Sequence, residues 1–195
     1  MSDQPTFRVV GATSVVEAGF LRVSETHVEG FDESFTRYVV HHPGAVVVVP
    51  VLADHETALL VRQFRAAVGG SLLEVVAGKR DVEGEPPEVT AGRELEEEIG
   101  QRPGRLVKLA EFYNSPGFCD EYTHLFLALD LEPLDAARGV TAEEREMTVE
   151  TVALSQVDEL VASGEIRDAK TIIGLTLARR YLAGEYAGLR TRADR

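Results

Sequence analysis

The chain has 195 residues, 44% of them apolar, with 20 Lys and Arg against 33 Asp and Glu for a formal net charge of -13. That length and apolar share support one ordinary domain with a sizeable core and at most a small annex. The charge excludes general binding to a nucleic-acid backbone, which demands a cationic surface, but leaves room for a small phosphorylated ligand, because metal ions invert the local charge.

The opening MSDQPTFRVV has no basic stretch followed by a long apolar one, so no signal peptide is expected. FRVVGA (7–12), FLRVSETHVEG (20–30) and SFTRYVVHH (34–42) predict three strands. Three strands alone make too small a sheet to stand in isolation. Residues 1–42 are therefore expected to pack on the main domain or to form a dimer surface, either in place or exchanged between protomers, and 43–195 to form that main domain. Pro43-Gly44 marks a turn. AVVVVPVLA (45–53) predicts a buried strand; at that length, broken by Pro50, it cannot span a membrane. TALLVRQFR (57–65) is expected as its antiparallel partner after the turn at Asp54-His55-Glu56.

A strand near Leu72–Ala77 leads into GKRDVEGEPPEVTAGRELEEEIG (78–100). Pro86-Pro87 suits a helix start, where a missing N–H costs nothing. Gly100 suits the left-handed residue after a helix end. A helix is therefore predicted from Glu88 to Gly100. Residues 106–134 predict two strands around a loop at Asn114–Asp120, and 133–145 a polar connection. A late strand is expected at 147–154, a short helix at 155–163 and a longer one at 166–183. The mixture predicts an α/β (α+β) sandwich. Cys119 is alone, so no intramolecular disulfide forms, which fits a cytoplasmic location.

Glu94, Glu97 and Glu98 stand three and four apart, on or near one helix face. Like charges so placed repel. They suit a solvated face, or a hard divalent cation that takes carboxylate oxygens and completes its shell with water and phosphate. On spacing alone both readings stand.

The run Arg93-Glu94-Leu95-x-Glu97-Glu98-x-Gly100 resembles the helix half of the Nudix box. Glu85 keeps the family's spacing to Arg93. Gly78 opens the box, but six residues separate it from Glu85 instead of five, and the final apolar position is Gln101. The resemblance implies a mixed sheet sandwiched between helices, with a small N-terminal sheet region. It implies Glu94, Glu98 and the carbonyl of Ala77 as metal ligands, Glu97 in a water-bridged or second-metal role, and Arg93 paired with Glu85. The implied cofactor is Mg²⁺, with Mn²⁺ as a substitute.

Tyr113-Asn114-Ser115-Pro116-Gly117, then Glu121 and His124-Leu125-Phe126, resembles the segment after the box in ADP-ribose pyrophosphatases. Pro116 stands sixteen after Gly100, as in that subfamily. This implies Ser115, Pro116, Gly117 and Glu121 as substrate contacts. Gln63-Phe64-Arg65 and Leu73-Glu74-Val75-Val76-Ala77-Gly78 also resemble that subfamily and imply Arg65 as a contact to the nucleotide or its phosphates, with Arg37 reaching substrate across a dimer interface. The implied base lies in the late acidic run, at Glu144 with Glu143 and Glu146 beside it. The expected activity is hydrolysis of a nucleoside diphosphate sugar, ADP-ribose before GDP-mannose or a UDP-sugar, by a homodimer without nucleic-acid or membrane partners. The rival from another class is a non-catalytic sensor that binds ADP-ribose.

Overall fold

The computed structural model describes residues 6–134 and 146–189. Its elements in chain order are β1 (Arg8–Ala18), β2 (Leu21–Gly30), β3 (Glu33–His41), β4 (Ala45–Pro50), β5 (Thr57–Arg65), β6 (Gly70–Glu74), β7 (Val76–Lys79), α1 (Pro87–Ile99), β8 (Gln101–Tyr113), β9 (Tyr122–Pro133), β10 (Thr148–Ala153), a 3-10 turn at Leu154–Gln156, α2 (Val157–Ala162) and α3 (Ala169–Leu182). Among the described residues no helix is long and apolar enough to cross a membrane.

The chain divides into two compact units, Met1–Gly44 with Tyr113–Tyr122, and Ala45–Phe112 with Thr123–Arg195. In the first, β1, β2 and β3 form an antiparallel sheet in that order. Val9, Val10, Val15 and Val16 of β1 are exposed. The loop after β8 belongs to this unit. Cys119 bridges Val40 of β3 in parallel, Val40 N–H donates to Phe118 O at 2.8 Å, and Asp120 N–H donates to Val40 O at 3.1 Å.

The second unit holds two sheets, β7-β4-β9-β8 and β10-β5-β6. β4 runs parallel to β9 and antiparallel to β7. Its run AVVVVP is buried at every residue. Val46 and Val48 pack with Ala91, Leu95 and Ile99 of α1 and with Phe126. Val47 and Val49 pack with Leu175 and Ala178 of α3 and with Leu125 and Leu127. A strand covered on both faces needs no polar alternation, which explains the continuous apolar run.

Two expectations change. β5 is not the partner of β4: it pairs with β6 and β10, and only an isolated bridge joins Val51 to Ala58. The turn at Asp54–Glu56 carries the chain from one sheet to the other, because both edges of β4 are taken by β7 and β9. The strand expected near Leu72–Ala77 is two strands, one in each sheet. Val75 lies at the switch, and its N–H donates to the Thr171 hydroxyl at 3.0 Å instead of to a ladder. A buried amide leaving a sheet needs such a substitute. Thr171 is itself set by Asp168, which caps α3 by accepting the Thr171 N–H at 2.8 Å.

Candidate active site

α1 begins with Pro86 as its cap and Pro87 in the first turn, one residue before the expected start. It ends at Gly100, whose φ of 63° is the left-handed conformation that a Cβ disfavours and that closes the helix through bonds to Glu96 O and Leu95 O. Leu95 and Ile99 face the core. That rotation sets the acidic residues of the same turns: Glu98 is 8% exposed, while the side chains of Glu94 and Glu97 are 12% and 51% exposed.

Glu94 lies against the backbone of β7. A Cβ on Gly78 would stand 2.0 Å from Glu94 Cδ and 2.2 Å from Oε1, so only glycine admits the carboxylate in this position. Arg93 links the cluster. Its Nη1 is 2.9 Å from Glu94 Oε1 and 3.2 Å from Glu97 Oε2, and its Nη2 is 3.5 Å from Glu85 Oε2. The same Glu85 oxygen accepts the Thr90 hydroxyl at 2.7 Å. Gly78 and Glu85 both reach the cluster despite the extra residue between them. A turn closed by Glu85 N–H on Val82 O, at 3.2 Å, lies in that stretch.

Sequence reasoning missed Arg80 and His124 as members of this network. Arg80 Nη2 donates to Glu85 O at 3.2 Å, and its Nη1 lies 3.3 Å from His124 Nε2. His124 Nδ1 is 2.8 Å from Glu111 Oε1. Burial pushes the His124 imidazole below its usual range, against the pull of Glu111. A neutral ring accepts from Arg80 and donates to Glu111. The available signal was one ionisable residue in an otherwise buried stretch of β9, Thr123–Leu129.

The remaining candidates are dispersed. Glu74, 2% exposed, holds Arg65: the Arg65 Nε–H donates to Glu74 Oε2 at 2.7 Å. Arg37 lies over the Phe35 ring, 4.4 Å from its centroid, and donates to Thr36 O. Arg37, Pro116 and Gly117 share a groove of about 290 Å³ with Tyr113, Phe118 and Val39 in the first unit. Ser115 O accepts Phe118 N–H and Cys119 N–H, and Glu121 O accepts Asn114 N–H at 3.3 Å. Glu146 is exposed. Glu143 and Glu144 lie outside the described residues.

Among the described residues no three His, Cys, Asp or Glu side chains form a complete ligand set. Glu97 turns to Arg93 instead of closing on Glu94 and Glu98. The donor set nevertheless fits a hard divalent cation, which binds through one or two carboxylates and keeps other positions for water and phosphate. Burial pushes the Glu94 carboxyl up to about 7, and the Arg93 guanidinium only partly opposes this. The last turn of α1 carries no basic residue, so its glutamates also meet the negative end of the helix dipole. A dication held by Glu94 and Glu98 would relieve both penalties.

A pH dependence follows. In the unfolded chain Glu94 ionises near the ordinary carboxylate value of 4.5; in the fold burial moves this to about 7. Between those values the folded state holds a proton that the unfolded state has lost, so stability of the metal-free protein falls as pH rises through the window. The melting temperature of chelator-treated protein is expected to fall over that interval. Excess Mg²⁺ is expected to raise it far more at about pH 8 than at about pH 5. Equal Mg²⁺ shifts at both pH values would remove Glu94 as the linked group.

A buried Glu98 and a half-buried Glu94, the latter braced by an arginine against a backbone cradle, suit a hard cation. Residues 41–173 match the NUDIX domain family, and the chain belongs to it. It is 44% identical over 135 residues to the ADP-ribose pyrophosphatase of Bacillus subtilis (strain 168), covering 69% of this chain and 71% of that one. It is 37% identical over 139 residues to the methanol dehydrogenase activator of Bacillus methanolicus, covering 71% and 74%. The crystal structure of an ADP compounds hydrolase superposes with a TM-score of 0.80 at 20% identity, covering 95% of this chain and 98% of that one, which shows the shared fold. The chain is thus a pyrophosphohydrolase of the Nudix family, a mixed α+β fold with a separate small antiparallel sheet at its N-terminus.

Proposed function

We propose that the chain hydrolyses the pyrophosphate bond of ADP-ribose, giving AMP and ribose 5-phosphate, with Mg²⁺ as its cation. The observation that carries this reading is the packing of Glu94 on Gly78, braced by Arg93 and flanked by the buried Glu98. The 44% identity to an ADP-ribose pyrophosphatase supports the choice of substrate.

Glu94 and Glu98, with the carbonyl of Ala77, would hold the cation, and Glu97 would take a water-bridged place. The cation supplies Lewis-acid stabilisation of the phosphate oxygens and a more acidic water. Arg93 orients Glu94 while Glu85 anchors Arg93 from the other side. The attacking water forms a new P–O bond as the bridging P–O bond breaks. Its proton passes to a carboxylate of the late acidic run, Glu144 first, with Glu143 and Glu146 as the neighbouring choices. Arg65, Ser115, Pro116, Gly117 and Glu121 are the substrate contacts that the family resemblance implies, with Arg37 reaching substrate across the dimer interface. The buried Glu74 fixes the direction of the Arg65 fork, which suits a phosphate or a carbonyl edge.

The exposed Val9, Val10, Val15 and Val16 of β1 support a homodimer through the N-terminal sheet. The lone Cys119 supports the cytoplasm as the compartment.

The test is phosphate-monoester release from ADP-ribose, GDP-mannose and UDP-glucose, each with and without Mg²⁺. Metal-dependent cleavage that strongly favours ADP-ribose is expected, from a sample whose solution mass is that of two chains. Preference for another conjugate keeps the chemistry and removes the substrate. Binding of ADP-ribose without any cleavage makes the protein a sensor.

A further inference from the structure

Ser24, His41 and Asp120 form a hydrogen-bonded line within the first unit. Ser24 Oγ is 2.7 Å from His41 Nε2, and His41 Nδ1 is 2.6 Å from Asp120 Oδ2. The distances are those of a nucleophilic triad, but Ser24 is 0% exposed and also bonds Thr26 Oγ1 at 3.0 Å. No substrate reaches that hydroxyl, so the line is not a second catalytic centre.

Its other end explains it. Asp120 Oδ1 accepts the backbone N–H of His42 at 2.9 Å. The free edge of β3 offers amides at alternate residues. Val40 N–H goes to Phe118 O, and the next, His42 N–H, goes to the Asp120 carboxylate. The carboxylate thus replaces the backbone carbonyl that a longer strand would have supplied. Burial opposes its ionisation, but the His42 N–H and the His41 ring together hold Asp120 below the usual carboxylate range. Ser24 sits opposite Val39 in the ladder, two residues from His41, so its hydroxyl meets the imidazole diagonally across one sheet face. The ring is held at both nitrogens.

We infer that His41 and Asp120, backed by Ser24, are positioning residues that fix the register of the Asn114–Glu121 loop on β3, and with it the affinity for the nucleotide sugar. The inference rests on the functional reading above, which assigns Ser115, Pro116, Gly117 and Glu121 to substrate. Those residues lie between the end of β8 and the clamp, or directly after it. Both oxygens of Asp120 are engaged, one by His41 Nδ1 and one by His42 N–H. Its carboxylate acts through the loop.

Two substitutions test it. Asp120→Ala removes both bonds. It is expected to raise KM for ADP-ribose about tenfold with kcat within about twofold, and to speed amide hydrogen exchange at Val40, His42 and Asp120 in the protein without substrate. Asp120→Asn keeps an oxygen for His42 N–H, and its amide N–H can donate to His41 Nδ1 once that ring carries its proton on Nε2, toward Ser24. It is expected to restore KM to within about threefold of wild type. An Asp120→Asn variant as impaired as Asp120→Ala would mean that the charge itself serves the reaction, which overturns a positioning role. Unchanged exchange in Asp120→Ala, or faster exchange with unchanged KM, overturns the inference while the activity stands. A wild-type protein inactive on every nucleotide sugar removes the functional reading and the loop's role with it. Exchange, read without substrate, still reports whether the clamp exists.

Discussion

Glu98→Gln is expected to lower turnover of ADP-ribose by about 10²–10³-fold, the usual cost of removing one preorganised electrostatic group from a reacting centre. The melting temperature is expected to stay within a few degrees of wild type. Glu98 is 8% exposed on the face of α1 that also carries Leu95 and Ile99, at 0% and 2%. Glutamine matches the glutamate in volume, so this packing survives, and volume-conserving changes in a core are the best tolerated. The substitution removes a charge from a carboxylate pair at the negative end of a helix. Without metal that change relieves repulsion. The loss belongs to the cation. Titration of Mg²⁺ should show weakened binding and a smaller thermal shift than in wild type. Wild-type turnover from a folded Glu98→Gln protein would sink the assignment of Glu98 as a ligand.

The ends of α1 were legible because proline and glycine act through backbone geometry alone: Pro87 opens the helix and Gly100 closes it. The buried strand at Val46–Val49 was legible because nothing polar interrupts it. Its neighbours were not. A run buried on both faces carries no alternation to give register, so adjacency in sequence wrongly offered β5 as a partner. The change of sheet at Val75 depends on one side-chain hydroxyl, Thr171, 96 residues later. No local pattern announces such a contact.

At the site, helical spacing brought Glu94 and Glu98 toward one face but could not show which of the three glutamates the core contacts would bury. Glu97, which the same spacing included, is out in solvent beside Arg93. The loop Asn114–Glu121 was legible as a loop. Its attachment to β3 through Asp120 and His41 was not, because it joins residues 79 apart. Arg80 occupies the stretch with one residue more than the family spacing, where a motif gives no guidance.

Gly78→Ala separates the position of Glu94 from its chemistry. Gly78 is not among the positive-φ glycines, so alanine adopts the backbone without strain. The obstruction is local: the new Cβ would lie 2.0 Å from Glu94 Cδ and 2.2 Å from its Cγ. The Glu94 side chain can rotate away, and the strand cannot. A carboxylate displaced on the order of 1 Å costs about 10²-fold where geometry governs the reaction, and kcat/KM for ADP-ribose is expected to fall by that amount. Stability should barely move. Reduced freedom of the unfolded chain favours alanine by about 0.4–1 kcal/mol, which offsets the repacking of one side chain. The thermal shift on adding Mg²⁺ should shrink with the activity, because the same carboxylate serves both. Gly92→Ala, on the helix that carries Glu94, is the control. A Cβ there meets nothing within 4 Å, and alanine favours a helix interior over glycine by about 1 kcal/mol. That variant should melt higher than wild type with its activity retained. If Gly78→Ala kept full activity beside it, the close approach of Glu94 to β7 would be a packing feature with no part in catalysis.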